Sequence, residues 1–90
     1  MPSFLVETYL ARSHAGERAA REQLIRRAAE QLSTKRARVH FECSIHVLED
    51  EVCFFLLDAP SSRAAALAAK RAGLDPLRVV EAASLRREEK

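Results

Sequence analysis

Glu7, His40, Glu42, His46, Cys53 and Glu81 carry the side chains of this 90-residue chain best suited to hold a metal ion. Imidazole, carboxylate and thiolate together suit nickel, zinc or copper better than calcium or magnesium. Spacing limits how they combine. His40 and His46 lie six residues apart in an extended run, about 20 Å by strand rise, so they cannot share one ion within a chain. His46 with Cys53 across a strand pair, His40 with Glu42, and Glu7 with Glu81 are the pairings open to one chain. A dimer could join such half-sites. Glu7 and Glu81 draw attention because they interrupt apolar strands, where a buried carboxylate is costly unless paired or coordinated. The plainer reading is that a His on a polar strand face is a surface or interface residue, and that Cys53 only packs.

Other chemistries find less support. No Cys-x-x-Cys or His-x-x-x-His spacing occurs, so a structural zinc site is not expected. Gly16 and Gly73 are the only glycines, which leaves no phosphate-cradling loop. Ser, His and acid cannot be joined into a triad by spacing alone. His14 precedes the first helix body and should be exposed.

These residues need elements to position them. A content of 48% hydrophobic and 31% charged side chains fits one globular domain, expected over residues 1–85 with a charged tail at 86–90. A net charge of +2 is too small and mixed to imply a nucleic-acid or anionic-membrane partner. No run is long and apolar enough for a transmembrane helix. The start lacks a basic segment before Glu7, so no export signal is expected, and Cys43 and Cys53 are expected as reduced cytoplasmic thiols.

Residues 3–9 read as a first strand. Ser13 is a fair cap for a helix over 14–33, with Ala20, Leu24, Ala28 and Leu32 inward and Ile25 and Ala29 widening the stripe. Val39, Phe41, Cys43, Ile45 and Val47 then alternate with polar residues, the period of a strand. Glu49-Asp50 is the expected tight turn to a third strand, Glu51 to Leu57, whose continuous apolar run suits a central position. Asp58-Ala59-Pro60-Ser61 opens a second helix over 61–72, with Ala64, Leu67, Ala68 and Ala72 inward. Gly73 is its expected C′ residue. Leu77 to Ser84 reads as the last strand.

This βαββαβ order predicts an α+β ferredoxin-like sandwich: a four-stranded antiparallel sheet in order 4-1-3-2, with two helices on one face. The turn sets Val47 opposite Val52, Ile45 opposite Phe54 and Cys43 opposite Leu56, and this set is expected to face the helices with Phe4, Val6, Val80 and Ala82. His40, Glu42, Ser44, His46, Cys53, Phe55 and Leu57 would then share the open face with Leu5, Glu7, Tyr9, Val79 and Glu81. Cys43 and Cys53 would point to opposite faces, which rules out a disulfide between them. An open face with this much apolar surface calls for cover by a second copy, as in dimeric α+β barrels. The third strand lacks the Gly and basic residue of an RNA-stacking signature, so RNA binding is not expected.

Several segments in order also resemble one family. These are Met1 to Leu10, Glu49 to Phe54, Asp58-Ala59-Pro60-Ser61, Arg71-Ala72-Gly73-Leu74 and Val79-Val80-Glu81-Ala82. Together they are similar to an actinobacterial domain family of unknown function, numbered 4242, which includes a nickel-binding member. Asp58 stands where that family often has Glu. The resemblance implies a ferredoxin-like fold, a dimer and possible nickel binding, without an established activity. The leading expectation is therefore a non-enzymatic homodimer binding nickel or a similar ion. The alternative is a dimeric α+β barrel protein, binding protein or enzyme, with a small-molecule pocket at the open face, between helices and sheet, or at the dimer cleft.

Overall fold

The computed structural model describes residues 2–83. Its elements are β1 (Ser3–Tyr9), a 3-10 turn (Arg12–His14), α1 (Glu17–Leu32), β2 (His40–Val47), β3 (Val52–Asp58), α2 (Ser62–Arg71) and β4 (Arg78–Ala82). The strands pair antiparallel in the order β2-β3-β1-β4, so the ferredoxin-like α+β arrangement expected from the element order is present. The expected end of the last strand at Ser84 and the charged segment 86–90 lie outside the described residues.

Both helices lie on one face, α1 against β2 and α2 against β1 and β4. The molecule measures 39 × 31 × 19 Å, and the short dimension has room for one helix layer on one sheet. Phe4, Val6, Phe41, Cys53, Phe55 and Leu57 form the sheet side of the core, and Ile25, Ala28, Ala29, Ala65, Ala68 and Ala69 the helix side. The small side chains of α2 let it approach the sheet closely.

Local signals account for most of the element ends. The Ser61 hydroxyl accepts the Ala64 N–H at 3.1 Å and caps α2. At its other end the Gly73 N–H donates to the Lys70 carbonyl at 2.9 Å and the Leu74 N–H to the Ala69 carbonyl at 3.0 Å. That pair of bonds is a Schellman motif, and it needs the left-handed φ of +83° that Gly73 supplies. Ser33 ties off α1 by donating to the Val39 carbonyl at 3.0 Å and accepting the Val39 N–H at 2.8 Å.

The helices differ from expectation in detail. Ser13 falls in the 3-10 turn, and α1 starts after Gly16 with no side-chain cap. Its inward stripe contains Ile25, Ala28 and Ala29, while Ala20 and Leu24 are exposed. Extending that stripe toward the N-terminus brings Arg18, Arg21 and Glu22 inward, a placement the apolar pattern alone does not show. In α2, Ala65 and Ala69 are buried and Leu67 is exposed. The β2–β3 loop spans Leu48 to Glu51 rather than two residues, and Glu51 takes a left-handed φ of 55°.

The larger correction concerns the faces of the sheet. Val47, Ile45 and Cys43 pair with Val52, Phe54 and Leu56 as expected, but all six lie on the open face. Cys53, Phe55 and Leu57 face the helices and are fully buried. The cause is a β-bulge between Phe41 and Cys43, where Glu42 is the extra residue. A bulge shifts alternation by one residue. Phe41 thus points into the core with Leu57, and Cys43, Ile45 and Val47 point out. Cys43 is therefore an open-face residue and Cys53 the core thiol, the reverse of expectation. The two remain free on opposite faces, as expected. In β4 the phase is also reversed: Val79 pairs with Val6 and packs on the core, while Val80 pairs with Leu5 on the open face.

Candidate functional site: the open sheet face

Register places Leu5, Val80, Val52, Phe54, Leu56, Cys43, Ile45 and Val47 side by side on the uncovered face. None of the eight is buried in the single chain, and Ile45 is 57% exposed. Four strands about 4.8 Å apart and about six residues long at about 3.3 Å each give a projected area near ~400 Å². The eight apolar side chains fill part of that area, a patch of the size that is often functional on a monomer. Its polar groups are matched within the chain. Glu7 Oε1 lies 3.5 Å from Arg78 Nε, and the Ser3 hydroxyl donates to Asp58 Oδ1 at 2.7 Å. The bulge is what puts Cys43, Ile45 and Val47 on this face, beside the polar Ser3, Glu7, Asp58 and Arg78.

The six residues chosen for metal chemistry are scattered over both faces. Glu7 is on the open face and held by Arg78. Glu81 pairs in register with Phe4, so it falls on the helix side of edge strand β4, where it is exposed. The two carboxylates therefore do not converge within one chain. His40 is exposed at the start of β2, with Nε2 3.6 Å from Glu42 Oε2. His46 and Cys53 are direct cross-strand partners, as expected, but on the helix side. His46 Nε2 stands 2.8 Å from the Leu10 carbonyl, which can only accept, so Nε2 carries the proton. His46 Nδ1 is buried with no hydrogen-bond partner among the described residues. Among the described residues, no three His, Cys, Asp or Glu side chains stand together as a metal-binding group.

A polar cluster that the apolar pattern does not show lies under the first turns of α1. Arg18 Nη1 donates to Glu22 Oε2 at 2.9 Å and to Ser44 Oγ at 3.0 Å, and the Ser44 hydroxyl also bonds Glu22. The cluster lets Ser44 sit on the helix side of an edge strand without an unmet hydrogen bond. Beside it, burial pushes the Cys53 thiol pKa up, and Arg21 and Arg18 only partly pull it back. Thr8, the buried polar residue of β1, donates to the Cys53 carbonyl at 3.0 Å. The spacing of Arg18 and Glu22 with Ile25 and Ala29 was the available signal, since all four share one helix stripe.

Comparison of the chain with protein-family models, curated proteins and solved structures gives no match. The functional reading therefore rests on the residues and the fold.

Proposed function

We propose that the chain is a homodimeric binding protein of the α+β barrel type, in which two open sheet faces stack across a two-fold axis. The observation carrying this reading is the open face itself, which presents apolar side chains on all four strands and pairs Glu7 with Arg78. A two-fold contact is self-complementary, so the apolar side chains of this face can meet those of its copy. The paired Glu7 and Arg78 also allow exchange of partners across the axis. Facing sheets pack about 10 Å apart, which lets Phe54, Leu56 and Leu5 interdigitate with their counterparts. Phe54→Glu would place a charge in the centre of that contact. It is expected to reduce the mass seen by light scattering to that of one chain. Leu67→Glu, an equally drastic change on the exposed side of α2, is expected to leave the mass unchanged. Equal masses for both variants would count against the proposal.

Transition-metal binding is a second reading, favoured by the His40–Glu42 pair and by the resemblance to a family with a nickel-binding member. One chain offers two donors there, so the site needs further donors from the second copy. On this reading, calorimetry with nickel or zinc shows one saturable ion per dimer, and His40→Ala abolishes it. Binding that survives His40→Ala, or no saturable binding to the dimer, argues against this site.

A further inference from the structure

On the helix side, away from the open face, a cleft of about 490 Å³ separates α1 from the α2–β4 connection. That volume is in the range of small-molecule sites. Leu24 comes from one wall, and Leu74 and Leu77 from the other. Leu24 is 45% exposed and Leu77 62% exposed, so the rim offers apolar surface still in water.

The charges of the cleft are unbalanced. It is lined by Glu17, Arg21 and Asp75. Arg21 is already engaged: Nη1 donates to the Tyr9 carbonyl at 3.0 Å, and Nη2 lies 3.7 Å from Glu17 Oε1. Asp75 has no side-chain partner among the described residues. Ala72 and Gly73 bring the C-terminal end of α2 to the same wall, its Ala69 and Lys70 carbonyls closed by the Schellman bonds and its last turn carrying Lys70 and Arg71. Asp75, an exposed carboxylate, thus shares one wall with apolar side chains. A carboxylate ligand would have to compete with the Tyr9 carbonyl and Glu17 for Arg21.

We propose that this cleft binds a small organic amine, with its ammonium group at Asp75 and its hydrocarbon body on Leu24, Leu74 and Leu77. The proposal does not depend on dimer formation or on metal binding. Cyclohexylamine and cyclohexanecarboxylate, matched in shape and opposite in charge, are the probes. Calorimetry near neutral pH follows binding, and tyrosine emission provides a second readout, because Tyr9 lines the cleft and is the only tyrosine in a chain without tryptophan. The amine is expected to bind saturably and the acid not. Asp75→Asn is expected to weaken amine binding at least tenfold with an unchanged melting temperature. Equal or tighter binding of the acid, amine binding unchanged in Asp75→Asn, or no saturable amine binding would each overturn it. If Asp75→Asn alters the fold, Leu77→Asn replaces it, and amine affinity that does not fall would likewise overturn the proposal.

Discussion

The bond from His46 Nε2 to the Leu10 carbonyl ties β2 to the segment after β1. Replacing His46 by Ala leaves that carbonyl short of its donor, at a cost of about 1–3 kcal/mol where the group is buried. Denaturant titration should show the loss, and nickel affinity should not change, because Nε2 is bonded within the chain and Nδ1 is enclosed. Cys53 makes a separate prediction. Burial raises its pKa, so the folded state holds the thiol proton more tightly than the unfolded chain does. Its contribution is complete at neutral pH and is lost as pH rises past about 8.5, where an ordinary thiol ionises. Stability measured from pH 7 to pH 10 should therefore fall less steeply in Cys53→Ala than in the wild type. In the native protein Cys43, partly exposed, should react with a thiol reagent well before buried Cys53.

At the scale of elements, strand order and cross-strand partners from Cys43–Leu56 to Val47–Val52 were legible, because hydrophobic period and turn position determine both. Which face those pairs occupy was not. Val39 to Val47 alternates without a visible break, and nothing in Phe41-Glu42-Cys43 marks the bulge. The all-apolar run of β3 carries no phase of its own, so it took its orientation from the strand beside it. Of the candidate site residues, Glu7 was placed on the correct face because Phe4 and Val6 fix the phase of β1. His46 and Cys53 were not, because the bulge turns their pair to the helix side. The ends of α2 were clear from their chemistry, and they carry predictions in turn. Gly73 has open space around it, so Gly73→Ala should cost only its left-handed backbone, about 1 kcal/mol. Ser61→Ala should also cost about 1 kcal/mol through loss of the cap. Thermal or denaturant melts of each variant check both values.

The described residues form a two-layer sandwich, with both helices on one face of the sheet and the other face uncovered. Truncating the covered side, as in Leu57→Ala, should cost about 2–5 kcal/mol through the cavity left behind. Changes on the open side should act mainly on association, and their effect on stability should depend on protein concentration. Sedimentation equilibrium of the wild-type protein over a wide concentration range tests the central claim most directly. The account predicts a species of twice the 10.1 kDa chain mass, dissociating only on dilution. A single-chain mass at every concentration, with the open face in water, would contradict it.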